Sequence, residues 1–183
     1  MGRGIGAAVL VALLAACSGG GGDAAVTTTT ATTLPASSAP TTTTLSPEAE
    51  VEAAYLAYWK MVDRLSAAPD PNDPELEQRA VDPVLSSARD VLTTSAARGE
   101  VTVTPPNAEY SHSIQSIELH GTEATVRDCS VDDQVVLNRD GQVIDGAVTT
   151  KHYIATLVRT GAVWKVSDVK IVEQAAGALS CGA

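Results

Sequence analysis

Every aromatic residue of this chain, two Trp and four Tyr with no Phe, lies beyond position 54. That asymmetry decides where a packed core can form. Residues 18–46 are mostly Gly, Thr, Ser, Ala and Pro, with threonine runs at 27–30 and 41–44 and Asp23 as the sole charge. Such a segment cannot bury enough apolar surface to offset its ordering entropy, so it is expected to form a disordered stalk. A Gly-rich chain of that length spans roughly 30 Å. Residues 47–183 have the size of one domain and hold all the aromatics and all three histidines.

Ahead of the stalk, MGRG supplies one basic residue, Arg3, and residues 5–16 form an apolar run, IGAAVLVALLAA. About a dozen apolar residues fall short of the roughly 20 that a membrane-spanning helix needs. A basic start, a short apolar centre and small residues at the end read as a secretory signal peptide. Its last four residues, Leu14-Ala15-Ala16-Cys17, resemble the lipobox of bacterial lipoproteins. The resemblance implies a diacylglycerol on the Cys17 thiol, cleavage just before it, and a stable anchor outside the cytoplasmic face of the cell membrane once two or three acyl chains are attached. The threonine runs are compositional candidates for O-glycosylation.

Charge narrows the partners. The whole chain carries −10, and cleavage would remove Arg3 and leave about −11. Such a surface argues against nucleic acid and against electrostatic adhesion to anionic headgroups. Cysteine arithmetic fits the same layout. Three Cys is an odd number for an exported chain. With Cys17 acylated, Cys129 and Cys181 remain as one pair, and an oxidising compartment favours a disulfide between them. A redox or metal role would want a CxxC or a nearby His, and neither is present.

The domain opens with helical patterns. Ser46-Pro47 offers an N-cap and a first-turn proline, and Glu48 and Glu50 complement the helix N-terminus. Val51, Tyr55, Tyr58, Val62 and Leu65 make one apolar stripe, widened by Leu56 and Trp59, which predicts a helix to about Ala67. APDPNDP breaks it. Asp73-Pro74 restarts a short helix, and Asp82-Pro83 starts a longer one with Val84, Leu85, Ala88, Val91 and Leu92, stopped by Gly99. After Gly99 the period becomes alternating, with strand candidates at 100–104, 108–119, 123–131, 134–138, 148–159 and 163–172. Turn signals stand at His120-Gly121, Arg139-Asp140-Gly141 and Thr160-Gly161. Phase slips between Ile114 and Ile117, and between Val166 and Val169, predict bulges that bend the sheet.

Helices followed by long antiparallel strands predict an α+β fold with the helices on one face. The helix with YLAYW, the strand TVRDCSVDD and the hairpin IATLVRTGAVWKVSDVKI resemble the cone-shaped nuclear transport factor 2-like (SnoaL-like) fold. They resemble in particular the small actinobacterial lipoproteins that carry it. There a G-x-x-W-x-V strand follows a hairpin, here Gly161, Trp164 and Val166. The resemblance covers most of residues 47–183, and it too implies a disulfide between Cys129 and Cys181.

That family includes ketosteroid-isomerase-like enzymes that use acidic residues and Tyr inside the cone. No motif carries those roles onto this chain residue by residue. The candidate pocket is lined by Tyr55, Trp59, Tyr110, His112, Asp128, His152 and Trp164. Alternation places Asp128 on the face of Ala124 and Val126, and His112 with Tyr110 and Ile114. A desolvated Asp beside a His could act as an acid–base pair. The plainer arrangement puts Asp128 near the rim at a bulge and leaves the histidines partly exposed. His120, in a turn, is expected at the surface. The chain has no GxSxG, P-loop, HExxH or GxGxxG motif and no clustered Cys/His ligands. VDDQVVLNRDGQVIDG lacks the spacing and terminal Glu of a calcium loop, and a hairpin turn accounts for it. The expectation is therefore a lipid-anchored surface domain that binds a small ligand or an envelope protein without catalysis, cofactor or metal. The alternative is an isomerase- or dehydratase-type enzyme using the cone.

Overall fold

The computed structural model describes residues 45–181. The leader, Cys17 and the stalk up to residue 44 lie outside them. Helix α1, Pro47–Ala67, starts where the local chemistry places it: Ser46 Oγ accepts the Ala49 N–H at 3.2 Å, Pro47 opens the first turn, and Glu48 and Glu50 follow. Its buried residues are Val51, Tyr55, Tyr58, Met61 and Leu65. Met61 takes the place expected for Val62, which is half-buried, and Leu56 faces solvent. A short helix α2, Glu75–Arg79, and α3, Val84–Arg98, complete the helical part. Gly99 ends α3 with φ of 68°, a left-handed conformation that glycine adopts without cost. A side chain there would also strike Arg139, whose Nε stands 2.7 Å from the position of a Cβ.

Two open antiparallel sheets follow. The larger has the order β2-β3-β6-β7, with β2 Ser111–His120, β3 Glu123–Asp132, β6 Thr149–Thr160 and β7 Val163–Ala176. The smaller, β1-β4-β5, joins Val101–Val103, Val135–Leu137 and Val143–Asp145. The fold is α+β. Strand β5 was not anticipated, because Val-Ile-Asp is only three residues long and its Val143 and Ile144 are exposed, so no alternation marks it. It closes a hairpin on β4 around Asn138, whose Oδ1 accepts the N–H groups of Asp140 and Gln142.

The phase slips are bulges. Ile114 pairs with Asp128 and Ser116 with Arg127, so Gln115 is the extra residue, and both Ile114 and Ile117 turn toward the core. On β7, Thr156 pairs with Asp168 and Leu157 with Val166, leaving Ser167 over, with its hydroxyl donating to the Thr156 carbonyl. One face of the large sheet carries Ala124, Val126, Ala155, Leu157 and Val166, which join the buried residues of α1, Leu76 and Leu92 in a single apolar core. The link from α2 to α3 runs along the outer edge of β7, where the Val81 N–H donates to the Val166 carbonyl. On the reverse face, Cys129 and Cys181 are bonded. The tail is held there as well by Thr150, whose hydroxyl donates to the Gly177 carbonyl and accepts the Leu179 N–H.

Candidate functional site

Asp128 is the place where the core stops being apolar. It follows Ala124 and Val126 on the core face of β3, opposite Ile114 on β2 and Tyr153 on β6, and it is fully buried. A buried carboxylate needs partners. The Tyr55 hydroxyl donates to its Oδ2 at 2.9 Å, and His112 Nδ1 meets the same oxygen at 2.5 Å. His112 reaches it diagonally across the ladder, since its own partner is Ser130. Trp59 stacks on the imidazole with centroids 4.7 Å apart and an interplanar angle of 27°, and Tyr153 leans on Trp59 at 5.2 Å. His112 is nearly enclosed, with a side chain 8% exposed.

The chain of hydrogen bonds continues. Tyr110 donates its one hydroxyl proton to Asp63 Oδ1 at 2.7 Å, and its oxygen lies 3.3 Å from His112 Nε2. With that proton spent on Asp63, the Tyr110 oxygen can only accept from the ring. Each nitrogen of the His112 ring therefore faces a protein oxygen, Asp128 Oδ2 at one end and the Tyr110 hydroxyl at the other. Gln134 Nε2 donates to Asp63 at 3.3 Å and to Thr104 Oγ1 at 3.0 Å. Five side chains from Tyr55 to Asp63 thus run in one line between α1 and the sheet. Three buried polar side-chain atoms, Asp128 Oδ1 and Trp59 Nε1 in this cluster and Trp164 Nε1 elsewhere, have no hydrogen-bond partner among the described residues.

Burial dominates the titration of the phenols. It raises Tyr55 well above its ordinary range, and the nearby Asp128 carboxylate raises it further. Tyr110 is raised by burial and then by its bond to Asp63, and Tyr153 by burial and then by the charges of Asp132 and Asp128. Burial alone pushes Tyr58 up to about 12.

Of the residues singled out from sequence, the structure brings together Tyr55, Trp59, Tyr110, His112 and Asp128. His152 pairs with Cys129, so strand alternation turns it to the reverse face, away from Asp128. Trp164 sits at the other end of the sheet, with the Arg159 guanidinium 5.8 Å from its ring centroid. Asp128 lies opposite the β2 bulge, as the rim arrangement supposed, but it is fully buried, and His112 is buried with it. Sequence reasoning passed over Asp63, although it follows Tyr55 at i+8 and Trp59 at i+4 on one line of α1. It also passed over Tyr153, whose place opposite Asp128 only the β3–β6 register reveals.

An acid–base histidine must present a nitrogen to its substrate. Here both ring nitrogens face protein groups. The recesses lie elsewhere. An apolar cleft of about 230 Å³ opens between α1, α3 and β7, lined by Tyr58, Met61, Leu65, Ala88, Leu92 and Val169 among others. A shallower recess of about 570 Å³ lies at the start of α1 beside Val163 and Trp164. A polar groove of about 390 Å³ lies where the two sheets meet the end of α1. None of the five clustered residues lines any of these three. Among the described residues no three His, Cys, Asp or Glu gather as metal ligands, and no helix is long and apolar enough to cross a membrane.

No family model and no curated protein matches the chain. Among solved structures it is similar to the intermembrane-space region of the chloroplast protein ARC6, with TM-score 0.57 and 16% identity over 70% of this chain and 98% of that one. It is also similar to a conserved protein from Planctomyces limnophilus, with TM-score 0.45 and 14% identity over 67% of this chain and 98% of the other. At such identities the likeness to the ARC6 region is one of fold: an α+β domain, with no activity attached.

Proposed function

We propose that this chain is a cell-surface lipoprotein, anchored through Cys17 on a flexible stalk. Its nuclear transport factor 2-like cone binds a small apolar ligand group without catalysis. The observation that carries the reading is that His112 has each ring nitrogen against a protein acceptor, while the apolar cleft between α1 and α3 stands apart from it. In this reading the line from Tyr55 to Asp63 fixes α1 on the sheet. The cleft has aromatic and aliphatic walls and an exposed Val91 at its edge, which suits an apolar group entering from solvent. An envelope protein that inserts an apolar side chain would use the same walls.

The test is titration of the purified full-length chain with an apolar fluorescent probe, N-phenyl-1-naphthylamine. Saturable binding that Ala88→Trp removes and His112→Gln leaves in place is the expected result. Probe binding indifferent to Ala88→Trp would remove the cleft from the account. Turnover of a ketosteroid or polyketide by the parent, lost in Asp128→Asn, would replace binding by catalysis. The anchor is tested separately: Cys17→Ser should release the protein into the medium or leave an uncleaved precursor, and a processed form still in the membrane would refute lipidation.

A further inference from the structure

The polar groove supports a second site. Along the core face of the large sheet, the register places Ala124, Val126, Asp128, Ser130 and Asp132 in one row on β3. The row passes from apolar to polar toward the end of α1. At its polar end Asp132 lies opposite Thr149, and Lys151 lies opposite both Ser130 and Gln174, so these side chains share one face of the sheet. Asp145 and Gln134, from the β4–β5 side, complete the walls.

The groups there are held in place and retain hydrogen-bonding capacity. Lys151 Nζ donates to Asp132 Oδ2 at 2.5 Å, which uses one of its three N–H bonds. Gln134 spends its amide N–H bonds on Asp63 and Thr104, leaving its carbonyl oxygen as an acceptor. Gln134, which lines the groove, donates to the same Asp63 oxygen that receives the Tyr110 hydroxyl, so a groove residue is tied to the end of the buried polar line. Charge selects the ligand. Two carboxylates, Asp132 and Asp145, face one ammonium, Lys151, in a chain of net charge −10. Phosphates and carboxylates are therefore disfavoured. Lys151 already serves Asp132 as its counter-ion. Carboxylates, carboxamides and hydroxyls in one groove of about 390 Å³ fit a neutral ligand rich in hydroxyl groups.

We infer that this groove binds a neutral saccharide, in the cleft where Lys151, Asp132 and Gln134 meet Gln174. This site is independent of the apolar cleft and of the anchor, so either reading can fail without the other.

The experiment is a backbone-amide NMR titration of the purified full-length chain with glucose, galactose and N-acetylglucosamine, with inorganic phosphate and spermidine as charged comparisons. A neutral sugar should produce saturable shifts centred on Gln134, Lys151 and Gln174. Gln174→Ala and Lys151→Met should each weaken the fitted affinity about tenfold. Gln174 is exposed, so its variant should keep the parent's thermal transition and serves where Lys151→Met is unstable. No saturable shift at sugar concentrations on the order of 0.1 M would overturn the proposal. So would saturation by phosphate or spermidine alone, or sugar binding that the folded Gln174→Ala variant leaves unchanged.

Discussion

The two sides of α1 hold the rest of the domain by different means. Tyr55, Trp59 and Asp63 meet the sheet through directional contacts: a hydroxyl on a buried carboxylate, an indole stacked on an imidazole, and a carboxylate receiving a phenol. Tyr58, Met61 and Leu65, on the neighbouring face of the helix, present apolar surface to a cleft toward α3. The contrast is physical. Apolar contacts accept many arrangements of similar volume, whereas a buried polar group left unmatched costs most of its desolvation energy. The polar side therefore sets where α1 sits, and the apolar side leaves room for something else to enter.

The sharpest break in that comparison is Asp128→Ala. It strands the Tyr55 hydroxyl and His112 Nδ1 in the interior, and should cost about 3–5 kcal/mol in urea unfolding. Asp128→Asn keeps an acceptor oxygen and should cost clearly less. A loss under about 1 kcal/mol for the alanine variant would make the polar side ordinary packing.

Next in size is the bond behind it. Cys129 adjoins Asp128 on the reverse face and ties the tail through Cys181. Cys181→Ala should lower stability by about 3 kcal/mol and the melting temperature by several degrees. Thiol titration of the denatured parent should find neither Cys129 nor Cys181 free.

The tyrosines give a pH test that spans both sides of the helix. All four of the protein's tyrosines have raised pKa values, Tyr58 to about 12 and the other three upward chiefly by burial. A phenol whose folded pKa exceeds its unfolded value near 10 binds more protons when folded. Its contribution is complete below about pH 10 and falls away as pH rises toward the folded value. Phenolate absorbance should therefore stay low through pH 10 and then rise together with loss of structure, in one cooperative step. A fraction of the tyrosines ionising near pH 10 with the fold intact would contradict the burial.

The smallest effect belongs to the apolar side. Ala88→Leu should fill part of the cleft and raise stability by about 0.5–1 kcal/mol, measured by thermal unfolding. A loss instead would mean that the cleft has no room for three more carbons.

Much of this could be read locally. Ser46, Pro47 and Gly99 mark helix ends because their chemistry acts within one turn. The hairpin turns and bulges appear as interruptions of a period-two pattern, and the side of β3 that Asp128 occupies follows from counting residues. What the strand sequences alone leave open is which His meets that Asp. His112 and His152 look alike in composition and setting. Pairing parity sends one to Asp128 and the other behind Cys129. Asp63 looks like any polar residue of a surface helix until Tyr110, 47 residues on, arrives beside it.

The sequence by itself determined where the first helix begins, the helix-then-strand succession and the alternation that puts a carboxylate among apolar neighbours. These depend on backbone stereochemistry and side-chain period over a few residues. Only the tertiary structure decided that the carboxylate would be enclosed by Tyr55 and His112, and that the open recesses would lie elsewhere. Burial and hydrogen-bond partnership belong to pairs of distant groups, and no local pattern encodes the register that brings them within reach.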